Sequence, residues 1–506
     1  MTGTPAAAGP TIGDRHAAKA ARDSVLVVLG GQVERALGLF TTFALRWGMD
    51  PARLGVYTGL RLYLDNTNRS SLGIGLGAVQ EIPALRAAGR HDEAARVANV
   101  AYTANTITCG LYVAGLLAWA AIRAPLLRGD PLAAEWTWGL IAVAGLAIVQ
   151  RYLSFLVAVL RSHQEFGITT SVDIVEAVAS AALIAGGVWV AGLWGVLAAV
   201  GGVFAIKIGY LHLKNPLRFR WVWDGPLAWR LMRSGLPILA NTAVFGAVLN
   251  LDRVLILWRV PDGERAVGLY SVALLGTSWG LDVAGRVVTV LYPYFQVALS
   301  RARNRAEVPT RALRATEAQG PVLAALAAWA YLVGPAALGL LLPRYAEGLP
   351  ALRPLLPGVY LLGLAWPSRQ MLIAVGRPYR LCAGTLAALL VAVGFGVLGA
   401  DRAGIVGVAW AMSAGYAVVF LISSATAIVP DLGVVAWLAH LGRLAIPTLW
   451  FALGAVGVDY LMPTSSSWQT WIPGALTLAL WTFLAVCVWM RRRSWNRLFS
   501  PRTESC

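Results

Sequence analysis

Charged residues are scarce in this chain. Only 13% of its 506 residues are charged and 58% are hydrophobic, a balance far from that of soluble globular proteins. Lysine is limited to Lys19, Lys207 and Lys214, so arginine supplies nearly all of the positive charge. The net charge of the chain is +17. This composition excludes a string of soluble domains and favours a protein embedded in a membrane.

Sequence signals for bound metals and nucleotides are also absent. The four cysteines and five histidines show no metal-ligand or disulfide spacing. The run from Gly73 to Gly77 follows no predicted strand and lacks the P-loop lysine, and its glycines instead predict close helix packing. We therefore expect no metal, no cofactor and no ATP hydrolysis. Residues 1–23 lack the apolar core of a signal peptide, which predicts a cytoplasmic tail.

Apolar runs of about 20 residues, the length that crosses a bilayer, make up most of the chain. About fourteen of them follow one another between short connectors, so the predicted fold class is an all-α polytopic membrane protein. The expected spans are 24–46, 54–78, 97–121, 136–160, 168–190, 192–212, 235–258, 266–294, 320–342, 351–374, 380–399, 404–428, 441–460 and 470–490.

Basic residues separate onto alternate connectors. One side takes the N-terminal tail and most of the arginine clusters, including Arg86 to Arg96 and Arg491 to Arg493, while the other side takes far fewer. By the positive-inside rule the first side is cytoplasmic, which places both termini in the cytoplasm and makes the number of spans even.

Two short segments suggest an internal duplication. Leu54-Gly55-Val56-Tyr57-Thr58 opens the second predicted span, and Val267-Gly268-Leu269-Tyr270-Ser271 opens the eighth. Because six is an even number of spans, the two halves would be parallel repeats. The predicted organisation is a tail at 1–23, six-helix bundles at 24–212 and 235–428, a cytoplasmic linker at 213–234, two further helices at 441–490 and a basic tail at 491–506.

The pattern as a whole resembles a known transporter family. The Gly-hydrophobic-Tyr segments, Leu251-Asp252-Arg253 in span seven, and Tyr345 with Leu352 between spans nine and ten are similar to the Wzx-type polysaccharide flippases. These belong to the multidrug/oligosaccharidyl-lipid/polysaccharide exporter superfamily. The resemblance implies two six-helix bundles around a central hydrated cavity. It also implies flipping of undecaprenyl-diphosphate-linked oligosaccharide from the cytoplasmic to the outer leaflet of the bacterial inner membrane, in contact with polysaccharide polymerase machinery. Because two parallel halves already make a complete pathway, we expect a monomer.

Charged side chains inside the spans are the candidate site residues, because each costs about 2.5–3.5 kcal/mol to insert. Arginine suits a diphosphate, since its planar fork donates two hydrogen bonds and stays protonated. An arginine that pairs with a nearby carboxylate would instead only fix the packing of helices. Such pairing is open to Arg61, Asp65 and Arg69, whose spacing of four residues places them on one stripe of a predicted helix. Arg35 and Arg369 lack an acidic residue four positions on. The expected substrate-binding residues are Arg35, Asn66, Arg69, Arg286, Arg369 and Gln370.

Intramembrane carboxylates are the candidates for ion coupling. Asp173 and Glu176 stand three residues apart on one predicted helix and repel one another when both are ionised, which favours a bound proton. Their place near the cytoplasmic end of span five argues the other way, because solvent there would let both ionise. The full set of candidates is Glu34, Asp65, Asp173, Glu176 and Asp282.

Three other functions compete with the flippase. A multidrug cation antiporter favours carboxylates and aromatics in its lumen, whereas the arginines here repel cations. A lipid II flippase also has fourteen spans and a cationic cavity, so the count alone does not distinguish it. A membrane polysaccharide polymerase needs a large outer loop, and the longest outer connector here is about 15 residues. The short connectors therefore predict that the chain is not an enzyme.

Overall fold

The computed structural model describes residues 31, 34–126, 132–162, 166–215, 217–301, 307–461 and 473–482. Within these ranges all regular secondary structure is helical. The predicted tails at 1–23 and 491–506 lie outside the described residues. The helices are α1 (34–48), α2 (Pro51–Asn66), α3 (Ile74–Ala87), α4 (His91–Leu126), α5 (Ala133–Ser162), α6 (Phe166–Lys214), α7 (Gly225–Arg259), α8 (Gly263–Arg301), α9 (Glu307–Leu341), α10 (Leu352–Ala374), α11 (Pro378–Leu461) and α12 (473–482), with 3-10 helices at Thr67–Ser71 and Pro343–Ala351.

Seven helical segments of the described chain are long and apolar enough to cross a membrane, which confirms a multi-pass membrane protein. Large apolar side chains such as Leu111 and Trp189 are exposed along them, as lipid-facing positions require. The count of fourteen spans and the arrangement in two six-helix bundles stay predictions.

Helix α6 reverses direction inside its length. Ala191 and Gly192 leave the helical conformation, at the predicted boundary between spans 168–190 and 192–212. A Cβ on Gly187 would overlap the carbonyl oxygen of Gly195, although eight residues of straight helix would separate the two by about 12 Å. The two parts of α6 therefore form a tight antiparallel hairpin that only glycines allow.

Helix α11 contains the same hairpin. Ala403 and Gly404 adopt nearly the same backbone angles as Ala191 and Gly192, and Gly399 meets Gly407 across the turn. The two sequences share the pattern Gly-x3-Ala-Gly-x2-Gly, 212 residues apart from Gly192 to Gly404. The segments around Gly55 and Gly268 lie 213 residues apart, so two independent features support the duplication. Gly433, with φ of 84°, breaks α11 a second time.

The chain divides into two compact units. Unit 1 comprises Met1–Met49 and Leu60–Leu239, and unit 2 comprises Asp50–Gly59 and Ala240–Cys506. Within unit 1, α3 packs on α7 as the glycine run predicts: a Cβ on Gly77 would overlap the carbonyl oxygen of Leu231, and one on Gly73 would lie 2.6 Å from the carbonyl carbon of Gly235. The predicted division at a 213–234 linker stays a prediction.

Candidate functional site

The second predicted span, 54–78, is broken in its middle. Helix α2 ends at Asn66, a 3-10 turn covers Thr67–Ser71, and Leu72 and Gly73 have positive φ angles of 52° and 82° before α3 begins. The sequence predicts one stripe that carries Arg61, Asp65 and Arg69; this is wrong for Arg69, because the turn moves it off the α2 surface. Such a break leaves carbonyl groups without helical partners at membrane depth, which requires protein or water to satisfy them.

Arg151 of α5 satisfies these carbonyls. It is only 7% exposed, and its guanidinium donates to the carbonyl oxygens of Thr67 and Asn68 and to the Ser70 hydroxyl. Sequence reasoning missed this residue. Its signal was an arginine in the middle of span 136–160 without an acidic residue four positions away.

Arg151→Met is expected to lower the free energy of unfolding by about 3 kcal/mol. The change leaves several buried acceptors unpaired, and hydrogen bonds to charged groups contribute about 1.5–3 kcal/mol each. Thermal unfolding of the purified protein measures the effect. Arg61→Met is the control, because its exposed pair with Asp65 is worth less than about 1 kcal/mol. Equal stability of the two variants would contradict the role assigned to Arg151.

The other polar groups near the break pair locally. Arg61 Nε donates to Asp65 Oδ1 at 3.0 Å, and both side chains are about half exposed. Arg69 donates to the Asn66 side-chain oxygen. Asp65 therefore pairs with Arg61 rather than with Arg69, while Arg69 has no carboxylate partner among the described residues.

An acidic cluster joins α1 and both parts of α6 within unit 1. Lys207, 7% exposed, forms an ion pair with Glu176, and Asp173 and Glu34 lie within electrostatic range of that pair. Glu34 is exposed, and one guanidinium nitrogen of the neighbouring Arg35 is buried without a hydrogen-bond partner among the described residues. The hairpin in α6 brings Lys207 to Glu176 across 31 residues, so sequence reasoning missed the lysine.

Arg369 forms the centre of the polar site in unit 2. It is 3% exposed; its guanidinium donates to Thr385 Oγ1 at 3.1 Å and lies 4.0 Å from the ring centre of Phe245. Trp366 packs edge-on against Phe245, and its buried indole nitrogen has no hydrogen-bond partner among the described residues. Because Trp366 and Arg369 are three residues apart on α10, they share one face. The neighbouring Gln370 is half-buried.

The remaining predicted residues lie on α8. Asp282 is exposed, and the side chain of Arg286 lies outside the described portion of the structure. Asp252 of α7 is fully buried, and its Oδ1 accepts a hydrogen bond from the Arg253 backbone N–H at 2.8 Å. Its Oδ2 and the hydroxyl of the buried Tyr270 have no hydrogen-bond partner among the described residues. The described residues contain no group of three or more metal-ligating side chains.

The fold is similar to those of several solved transporters. No family model matches the sequence, and no curated protein matches it. Among solved structures, the lipid II flippase MurJ in an inward closed conformation aligns with a TM-score of 0.68 at 12% identity, covering 92% of this chain and 99% of MurJ. An inward-facing multidrug resistance MATE transporter of the MOP superfamily aligns with a TM-score of 0.63 at 15% identity, covering 83% of this chain and 98% of the transporter.

A third structure, a MOP superfamily transporter from Pyrococcus furiosus, aligns with a TM-score of 0.55 at 15% identity over 84% of this chain and 95% of its own. At these identities the likeness concerns the fold alone. It extends over nearly the whole length of each neighbour. This chain therefore has the fold of the MOP superfamily transporters.

Proposed function

We propose that this chain is a flippase that moves a lipid-linked oligosaccharide of the undecaprenyl-diphosphate type from the cytoplasmic to the outer leaflet by alternating access. A polar head group cannot cross hydrocarbon unaided, because each unpaired hydroxyl would cost several kcal/mol. A transporter with polar residues in its interior removes that cost. Both termini in the cytoplasm, a monomeric state and location in the bacterial inner membrane are parts of the same proposal, as is contact with a polymerase.

The environment of Arg369 carries the proposal. Within the described residues its guanidinium meets a hydroxyl and an aromatic ring but no carboxylate. A buried arginine without a counter-ion is costly, and an anionic substrate would offset that cost. The unpartnered Trp366 N–H on the same helix face adds a second donor for phosphate oxygens. This chemistry suits a diphosphate.

The same observation argues against the antiporter alternative but not against the lipid II flippase. A multidrug cation antiporter would place this buried cation beside its own substrate, which like charges disfavour. The lipid II flippase alternative has support of its own in the fold likeness to MurJ. Lipid II also carries a diphosphate, so Arg369 does not distinguish the two flippases, and only the sugar does.

Complementation tests the function directly. We expect the full chain to restore surface glycan in bacteria that lack their own oligosaccharide flippase, in a host that makes the glycan that this chain transports. A parallel strain depleted of MurJ tests the lipid II alternative. If only the MurJ-depleted strain is rescued, the substrate is lipid II and not the proposed oligosaccharide. Failure of both, together with resistance to cationic drugs, would instead assign the chain to multidrug transport.

The acidic cluster is the proposed ion-coupling site. Glu34, Asp173 and Glu176 lie within electrostatic range of one another, and Lys207, Arg35 and Arg161 offset part of their charge. A bound proton would relieve the repulsion that remains among the carboxylates. Asp65 is already paired with Arg61, which makes it a weaker candidate. Asp282 is exposed on α8 in unit 2.

Glu176→Gln is expected to abolish the stimulation of flipping by an ion gradient while leaving gradient-free exchange within about threefold of wild type. The measurement uses proteoliposomes with an imposed proton or sodium gradient. Because the substitution leaves Lys207 without its carboxylate, the double variant Glu176→Gln/Lys207→Met serves to restore stability. Glu93→Gln, in an exposed pair with Arg90, is the control. Full gradient stimulation in Glu176→Gln would contradict the assignment.

A further inference from the structure

A second site lies in unit 1, beside the connector that follows α6. A cavity of about 520 Å³ opens there, within the range of about 300–1,000 Å³ that small-molecule sites occupy. It belongs wholly to unit 1 and includes none of the groups described above. Its lining residues come from α4, α5, α6 and the connector: Tyr102, Tyr152, His212, Leu217, Arg218 and Phe219.

Aromatic rings form the walls of this cavity. Tyr102 is the central ring: it stacks on Phe219 with centroids 5.3 Å apart, and Tyr152 and Trp221 meet it edge-on at 6.3 and 6.0 Å. Phe155 packs behind, 5.0 Å from Phe219. These contacts fix the ring planes, so the walls are rigid before any ligand arrives.

Polar groups at the cavity have hydrogen-bonding capacity to spare. The Tyr152 hydroxyl bonds the His212 Nε2 at 2.9 Å, which holds that ring in place. In the described part of the chain, neither the Tyr102 hydroxyl nor the exposed Arg218 guanidinium has a hydrogen-bond partner. A site with aromatic walls and unused hydroxyl and guanidinium donors is poorly suited to a lipid tail, which would leave those groups unpaired.

The connector itself is fastened to α4. The Arg220 backbone N–H donates to Asn99 Oδ1 at 2.9 Å and the Val222 N–H to Thr103 Oγ1 at 3.0 Å. Asp224, at the start of α7, accepts from the Leu227 N–H at 3.0 Å and from Arg96 at 2.7 Å; these two bonds lower the pKa of its carboxyl. Phe219 and Arg218 are thus held against the cavity by fixed backbone contacts.

From these observations we propose that the cavity binds one pyranose ring of a glycan. The C–H face of a pyranose carries partial positive charge and packs on the negative face of an aromatic ring, while its hydroxyls pair with tyrosine, histidine and arginine. The volume exceeds what an inorganic ion requires. The inference rests on the proposed function: the positive-inside rule places this connector in the cytoplasm, where a lipid-linked glycan would be loaded.

Saturation-transfer NMR on the purified full-length protein tests the proposal, with methyl glycosides of a hexose, an N-acetylhexosamine and a hexuronic acid as probes. We expect saturation of the ring C–H protons of at least one probe. Tyr102→Ala should weaken its binding about tenfold, and Arg218→Gln about fivefold. Tyr102→Phe, which keeps the ring, should lose about threefold or less.

The control is Trp223→Ala, an exposed aromatic of the same connector that does not line the cavity; it should bind as wild type does. Absence of transfer to all three probes, or binding unchanged in Tyr102→Ala, would overturn the proposal. Complementation separates the two claims. Rescue without pyranoside binding would contradict only the proposed sugar site. Pyranoside binding without rescue in any host would contradict only the proposed flippase function.

Discussion

Arg369→Met is expected to reduce flipping by a factor of about ten to a hundred, the equivalent of losing charge-assisted hydrogen bonds worth about 1.5–3 kcal/mol. The same change should leave the protein as stable as wild type or more stable. A buried charge without a carboxylate is itself a cost to folding, and an apolar side chain of similar volume removes that cost. Flipping in proteoliposomes and thermal unfolding of the same preparation measure the two effects.

Two variants on α10 act as controls for this result. Arg369→Lys keeps the charge but not the planar fork, so partial activity is expected. Arg353→Met removes an arginine that does have a carboxylate partner, Asp459 at 3.0 Å, and should lower stability by about 1 kcal/mol with little effect on flipping. If Arg369→Met instead unfolds easily and its folded fraction flips normally, Arg369 is a packing residue.

Gly55→Ala and Gly268→Ala are expected to lower the free energy of unfolding by about 3 kcal/mol each, the upper part of the range for overpacking. A Cβ at Gly55 would overlap the carbonyl oxygen of Glu264, and one at Gly268 would overlap that of Pro51. Each glycine thus meets the residue four positions before the other, so α2 and α8 approach backbone to backbone. Neither backbone can yield without shifting its helix.

Thermal unfolding measures this effect, with Gly115→Ala in α4 as the matched control. Nothing lies within 4 Å of a Cβ at Gly115, so alanine there should be neutral or stabilising by up to about 1 kcal/mol. The double variant Gly55→Ala/Gly268→Ala should cost less than the sum of the single changes, because both act on one interface. Equal stability of Gly55→Ala and Gly115→Ala would show that the two helices do not pack this closely.

Local spacing determined several features of the fold. Long apolar runs between basic connectors predict a multi-pass helical membrane protein, because membrane thickness sets the length of each run. Gly73 and Gly77 predict a close helix contact, because only small residues let two helices approach closely. The structure places this contact between α7 and the beginning of α3. A further sequence feature was missed: the pattern Gly-x3-Ala-Gly-x2-Gly occurs twice, once at each hairpin.

The sequence by itself therefore determined the class of protein, a multi-pass helical membrane protein, and the absence of an acidic residue near Arg369 on α10. Four features became visible only in the tertiary structure. They are the helix break after Asn66, the hydrogen bonds from Arg151 to that break, the Lys207–Glu176 ion pair and the aromatic cavity. The physical reason is the separation along the chain of the residues that make each contact. Helical periodicity relates residues three or four apart, whereas each of these features depends on side chains that chain reversal brings together over 30 residues or more.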